Sequence, residues 1–188
     1  MISPYLKILR PHQWLKNLML FFPPFLAGVL FSPGYLQKGV LPFAVFCMAS
    51  SATYIFNDIR DQEPDRLHPK TKHRPIASGA VPVSRAAIIG VLLVVASILL
   101  ALNLPIIFLG WLLAYIGLSV AYSVFLKALP VFDLFCIASG FVFRLFAGGV
   151  AFGVTVSDWL FLSVFLLAIF LSAGKRLGEK QMLGKTSG

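Results

Sequence analysis

Apolar runs long enough to cross a bilayer recur along the whole chain, at about 17–34, 39–57, 85–103, 105–126, 129–150 and 157–174. A hydrocarbon core about 30 Å thick takes roughly 20 apolar residues per helix, and lipid offers no partner for an unpaired backbone group. The expected fold class is therefore all-α: a polytopic transmembrane helical bundle of about six spans, formed as a single domain over residues 1–188. Composition agrees, with 59% hydrophobic and 12% charged residues and a mean hydropathy of +0.88, values foreign to soluble domains.

The bases set the expected orientation. Lys7, Arg10 and Lys16 precede the first run, and Arg60, Arg66, Lys70, Lys72, Arg74 and Arg85 fall in or beside the second connector. Lys127 lies in the fourth connector and Lys175, Arg176, Lys180 and Lys185 follow the last run, while Lys38 stands alone on the opposite side. Under the positive-inside rule both termini and the second connector face the cytoplasm, which makes the cytoplasmic (inner) membrane the expected location. The formal net charge of +9 thus follows from topology, and no nucleic-acid partner is expected. Cys47 and Cys136 lie inside apolar runs without metal-ligand spacing and read as small buried residues. The basic start and "NLMLFFPPFLAGVL" also suggest a signal peptide, but no small-x-small site closes the run, so it reads as an uncleaved first helix. Pro23 and Pro24 are expected to bend or break that helix, and the small residues of "FAGGVAFGV" to allow close helix packing.

The stretch "YIFNDIRDQEPDRLHPKTKHRPIASG", residues 54–79, concentrates charge of both signs at the edge of the second run. Asn57, Asp61 and Asp65 follow one another at four-residue intervals, which stacks their oxygens on one helical face, with Asp58 beside them. Crowded carboxylates repel unless a cation sits between them, and a hard oxygen-seeking ion, Mg²⁺ above all, is the natural candidate. Because Mg²⁺ usually binds one or two carboxylates plus phosphate oxygens, the cluster points to a phosphorylated ligand. Lys70, Lys72 and Arg74 supply matching phosphate contacts. Pro64 interrupts the helical pattern, so Asp65 is expected to approach from a bend or a new first turn. The competing reading is a surface connector whose acids and bases neutralise one another.

Other polar residues fall inside or beside the runs. Arg144 lies within the fifth run, where an intramembrane arginine needs a partner or water, and is expected to face a cavity and bind ligand there or pair structurally. Asp133 is on the same face but roughly 16 Å along the axis, too far to pair with it directly. His12, His68 and His73 show no ligand spacing, and Tyr54, Tyr115 and Tyr122 read as interfacial or packing residues.

The string Asn57-Asp58-x-x-Asp61-x-x-x-Asp65 followed by "HPKTKHRPIASG" resembles the first aspartate-rich motif of the UbiA superfamily of intramembrane prenyltransferases. "LRPHQWLKNLMLFFPP" at 9–24 and "AYSVFLKALPVFDLFCIASGFVFRLFAGG" at 121–149 are similar to its decaprenyl-phosphate phosphoribosyltransferase branch. The resemblance implies a helical bundle with a cytoplasmic-side cavity in which Mg²⁺ holds a diphosphate leaving group. The implied donor is 5-phosphoribosyl diphosphate and the acceptor a polyprenyl phosphate; the alternative is a prenyl diphosphate donor with an aromatic or lipid acceptor. Carried over, Asn57, Asp58, Asp61 and Asp65 hold metal, with Asp58 and Asp61 as the catalytic pair. Lys16, Asn17, Lys72, Arg74 and Arg144 contact substrate, as do Lys175, Arg176 and Glu179, which resemble a Lys-Arg-acid pattern of the phosphoribosyltransferase branch. Superfamily members have nine helices, so the chain is expected to correspond to the N-terminal two thirds of that fold; assembly with another copy as a homo-oligomer is the alternative. A noncatalytic membrane subunit or transporter is the remaining alternative. CDP-alcohol phosphotransferases are set aside because their Asp-Gly and Ala-Arg pattern is absent.

Overall fold

The computed structural model describes residues 3–128 and 130–185, and every regular element among them is helical. In chain order they are α1 (Pro4–Ile8), a 3₁₀ helix (Pro11–Phe21) continuing into α2 (Phe22–Leu26), α3 (Tyr35–Lys38), α4 (Val40–Arg60), α5 (Gln62–Leu67), α6 (Val83–Ala101), α7 (Ile106–Val124), a 3₁₀ turn (Leu126–Ala128), α8 (Pro130–Phe152) and α9 (Asp158–Lys185). Four helical stretches, Tyr35–Arg60, Val83–Ala101, Ile106–Val124 and Phe132–Phe152, are long and apolar enough to cross a membrane, and a shorter apolar helix covers Asp158–Gly174. These match the second to sixth expected spans closely. Lys175, Arg176 and Glu179 fall along α9, but their side chains lie outside the described residues.

The first expected span, 17–34, needs correction. Helix begins earlier, at Pro11, runs as 3₁₀ for 11 residues, and ends as five residues of α-helix. At about 2.0 Å and 1.5 Å per residue this path is roughly 30 Å long, enough to traverse a hydrocarbon core. Pro23 and Pro24 do not break it. They are the second and third residues of α2, at the point where the winding changes from 3₁₀ to α, so the helix changes type at the pair and continues. The stop comes from Gly28, at φ 73°. Its N–H bonds the Phe25 carbonyl at 3.0 Å and the Val29 N–H bonds the Pro24 carbonyl at 3.0 Å, the paired closure of a Schellman motif.

α4 is the central helix: 61% of its apolar window is buried, against 17% for α6. It packs on α6, α7 and the 3₁₀ helix, while α8 packs on α7, α9 and the 3₁₀ helix. Leu20, Val45, Phe46, Phe108, Leu112, Tyr115 and Ala147 form the main core. Large apolar side chains such as Val91, Ile106, Leu166 and Phe170 point outward, as expected where lipid rather than water is the solvent. A second cluster at the end of the bundle joins Ile8, Ile55 and Ala86 to Ile76 and Val81 of the connector after α5. The connector is folded onto the bundle. Gln62 and Arg66 side chains donate to the Ile76 and Ala77 carbonyls at 3.4 and 3.0 Å, and the Thr71 hydroxyl donates to the Asp65 carbonyl at 3.2 Å.

Close packing of small residues holds at Gly148. A Cβ there would collide with the Leu20 carbonyl and lie 2.8 Å from the Leu20 Cα, so α8 and the 3₁₀ helix meet backbone to backbone. Gly148→Ala is therefore expected to lower the midpoint of thermal unfolding in detergent by several degrees, in line with the roughly 1–3 kcal/mol typical of overpacking. Gly117→Ala, inside α7 where a Cβ meets nothing within 4 Å, should not lower the midpoint and is expected to raise it slightly.

Candidate active site

The acidic string is divided between two environments. α4 ends at Arg60 and α5 restarts at Gln62, with Asp61 at φ −94° and ψ 9° between them. Pro64 sits in the first turn of α5, where no N–H is required, so Asp65 does approach from a new first turn. The expected stacking of Asn57, Asp61 and Asp65 on one face is corrected, because the chain turns before Asp65.

Asp58 and Asp65 turn toward arginines. Asp58, 3% exposed, accepts from Arg10 Nη2 at 2.5 Å and from Arg74 Nη1 at 3.3 Å. The same Arg74 nitrogen bonds Asp65 Oδ2 at 2.6 Å. Arg74 thus bridges two carboxylates and anchors the connector. Lys72 is exposed and lines neither cavity described below. Among the described residues no three His, Cys, Asp or Glu side chains gather as a metal site; of the four residues that the resemblance assigns to metal, Asp58 and Asp65 pair with arginines.

Asn57 and Asp61 instead face a cavity of about 400 Å³. Asn57 Nδ2 donates to Asp61 Oδ2 at 3.2 Å, and Lys127 pairs with Asp61 Oδ1. Arg10, Lys16, Lys127 and Arg144 all line this cavity, and Asp61 is the one carboxylate among its described lining residues. Such an excess of positive charge in a low-dielectric bundle favours an anionic ligand. One carboxylate and one amide oxygen also suit Mg²⁺, which takes its remaining ligands from phosphate and water.

Arg10 and Lys127, read from sequence as topology residues, belong to the site. Arg10 is the described non-glycine residue with positive φ, at 51°, a conformation costing about 1–2 kcal/mol. Its charge-assisted bond to Asp58 and its position 5.0 Å over the Tyr54 ring offset that cost. Nothing in "LRPHQW" signals this long-range pairing. Tyr54, Tyr115 and Tyr122 line the cavity too; Tyr115 also packs in the main core, as one of the two expected readings had it. The Tyr54 hydroxyl donates to Gln13 Oε1 at 3.2 Å and accepts from Lys16 Nζ at 3.5 Å.

Asn17 is fully buried and does not line the cavity. Its amide donates to Ser50 Oγ and Cys47 Sγ, both at 3.3 Å, and its Oδ1 accepts from Arg144 Nε at 2.7 Å. Asn17, expected to contact substrate, thus lies behind the cavity wall and bonds Arg144, which lines it. The 3₁₀ period explains the placement: residues three apart eclipse, so Trp14, Asn17 and Leu20 form one inward ridge. Trp14 Nε1 donates to Ser51 Oγ at 3.0 Å on α4. Gln13, Lys16, Met19 and Phe22 form the next ridge. Lys16, Met19 and Phe22 border a second, more apolar cavity of about 580 Å³ between the 3₁₀ helix, α8 and α9. The two cavities share Lys16, Tyr122, Ile137 and Phe141.

Replacing Arg74 by Gln should leave Asp65 without its guanidinium while Asp58 keeps Arg10. Allowing for the partial exposure of Arg74, a loss of about 1–2 kcal/mol is expected, seen as faster proteolysis within residues 62–82. Leu166→Ala, on the outward face of α9, should not change that rate.

The UbiA prenyltransferase family pattern matches residues 21–175. Decaprenyl-phosphate phosphoribosyltransferase from Mycolicibacterium smegmatis is 38% identical over 99% of this chain and 60% of its own length. Its namesake from Corynebacterium glutamicum is 39% identical over 93% of this chain and 54% of its own. The chain thus spans between about half and two thirds of the length of these two relatives. A UbiA homolog from Archaeoglobus fulgidus bound to DMAPP and Mg²⁺ aligns with a TM-score of 0.77 at 27% identity, over 89% of this chain and 60% of the other. The same homolog bound to GPP and Mg²⁺ aligns with a TM-score of 0.80 at 24% identity, over 95% and 64%, a likeness of fold. With a membrane-spanning helical bundle, an acidic string closing its second long helical stretch and a pattern match over most of its length, this chain belongs to the UbiA prenyltransferase family.

Proposed function

We propose that this protein is a membrane transferase that moves phosphoribose from 5-phosphoribosyl diphosphate to a decaprenyl-type polyprenyl phosphate, working at the cytoplasmic face of the cytoplasmic membrane. The observation that carries this reading is the cavity lined by Arg10, Lys16, Lys127 and Arg144, which opens beside an apolar groove. Charge calls for a polyanion, and the groove calls for a ligand with a long apolar chain. The relatives named decaprenyl-phosphate phosphoribosyltransferase support the choice of donor and acceptor.

In this reading an oxygen of the carrier phosphate attacks the anomeric carbon of the ribose. The bond from that carbon to the diphosphate breaks, and its electron pair leaves with pyrophosphate. The attacking phosphate is already anionic, so no strong base is required. Asp61 and Asn57 would hold Mg²⁺, which would supply charge neutralisation for the leaving diphosphate. Lys127 and Arg10 add positive charge at the same end of the cavity. Asp58 and Asp65 hold Arg10 and Arg74 in place and so anchor the N-terminal arm and the connector at the end of α4. Orientation by these fixed groups, rather than acid–base chemistry, carries the rate.

A prenyl diphosphate donor is the second reading, favoured by the likeness to the A. fulgidus homolog bound to DMAPP and Mg²⁺. Membranes containing this chain, given labelled phosphoribosyl diphosphate or labelled prenyl diphosphate with Mg²⁺, separate the two. The expected outcome is ribose label in a lipid phosphate, lowered about 100-fold or more in Asp61→Asn and abolished by chelation. Label entering lipid from the prenyl donor alone would overturn the phosphoribosyl assignment.

A further inference from the structure

Arg144 is 4% exposed and lines the polar cavity, yet each of its partners is neutral. Its Nε donates to Asn17 Oδ1 at 2.7 Å, its Nη1 to the Gly140 carbonyl at 2.7 Å and its Nη2 to the Tyr115 hydroxyl at 3.0 Å, and its guanidinium lies 4.4 Å over the Tyr115 ring. Arg10, which lines the same cavity, and Arg74 are by contrast paired with carboxylates. Among the described residues no carboxylate pairs with Arg144. A guanidinium buried among neutral acceptors keeps its positive charge uncompensated and attracts an anion entering the cavity.

Two anion environments therefore share one cavity. On one side stand Asp61 and Asn57, whose carboxylate repels a bare phosphate and admits one together with a divalent cation. On the other stands Arg144, which can take a phosphate with no metal. The chemistry it fits is a phosphate monoester, and two sources are available: the head of a lipid phosphate or the 5-phosphate of the sugar donor. Continuity with the groove decides between them. Ile137 and Phe141, on the two turns of α8 before Arg144, line both the polar cavity and the apolar groove, and Lys16 borders both as well. Farther along the ridge that carries Lys16, Met19 and Phe22 continue into the groove. A charged head at Arg144 and Lys16 thus has its apolar chain led outward between the 3₁₀ helix, α8 and α9.

We infer that Arg144, held by Asn17 and Tyr115, binds the phosphate of the lipid acceptor by a metal-independent contact, separate from the Mg²⁺-dependent donor site at Asp61. This assignment rests on the transferase reading above for the identity of the acceptor. Tyr115 and Asn17 act as positioning residues for the guanidinium.

The test is binding to the 188-residue chain in lipid nanodiscs, with farnesyl phosphate as the acceptor probe, farnesol as its neutral counterpart and phosphoribosyl diphosphate with Mg²⁺ as the donor probe. Wild-type protein should bind farnesyl phosphate equally with Mg²⁺ or with a chelator, and more tightly than farnesol. Arg144→Gln should weaken farnesyl phosphate at least tenfold, leave farnesol unchanged, and hold donor binding within about twofold. Arg144→Lys should recover part of the loss, and Tyr115→Phe should produce a smaller loss. Unchanged farnesyl phosphate binding in a folded Arg144→Gln variant would overturn the inference, as would loss of donor binding in its place. Should that variant fail to fold, wild-type protein still decides: farnesyl phosphate binding that requires Mg²⁺ overturns the assignment. Metal-independent farnesyl phosphate binding, without any donor binding, would leave the Arg144 site standing and remove phosphoribosyl diphosphate from the proposed function.

Discussion

The carboxylate of Asp58 is the point on which this end of the molecule depends. It is buried near the end of the central helix, where an unpaired charge is very costly, and it is met by two guanidiniums from opposite sides of the sequence. Arg10 arrives from the arm ahead of the 3₁₀ helix and Arg74 from the connector after α5. One ionised group thereby fixes the entry of the chain into the membrane and the folding of the connector over it. The apolar cluster of Ile8, Ile55, Ile76 and Val81 lies among the same elements, so burial and ion pairing act together. With Asp58 and Asp65 committed to arginines, Asn57 and Asp61 remain to face the cavity.

Much of this architecture was legible in the sequence. The second to sixth apolar runs coincide with helices because a lipid-spanning segment must satisfy its own backbone, which makes length and hydropathy sufficient to find it. The acidic string was legible as the functional region for a similar reason, since charge beside a membrane span needs a cause. Its internal geometry was not. A four-residue spacing predicts a shared face only while one helix continues, and here the helix ends at Arg60. Lys127 reaches Asp61 across 66 positions and Arg10 reaches Asp58 across 48; no local pattern encodes either approach. The left-handed backbone of Arg10 is likewise invisible, since neither its identity nor the following proline favours that conformation.

The 3₁₀ helix accounts for where Asn17 lies. A period of 3.6 would fan Trp14, Asn17 and Leu20 over an arc of about 120°, whereas a period of 3.0 aligns them into one strip. That alignment sets a hydrogen-bonding tryptophan and asparagine on the same side as a core leucine. It also leaves Gln13, Lys16, Met19 and Phe22 as a second strip grading from polar to apolar. The gradient follows the two cavities, so one short element contributes both a charged end and a greasy end to the neighbouring space.

The backbone contact between Gly148 and Leu20 has a bearing on how well Arg144 is placed. Arg144 and Gly148 are separated by one turn of α8, and Asn17 and Leu20 by one turn of the 3₁₀ helix. Four residues at about 1.5 Å and three at about 2.0 Å both advance roughly 6 Å. The two helices, so different in winding, are commensurate over this single repeat, and the polar contact and the backbone contact fall into step. Because the spacing is set where one main chain rests on another, side chains elsewhere on either helix can change without moving the guanidinium from its asparagine. The buried charge takes its position from the dimensions of the polypeptide itself.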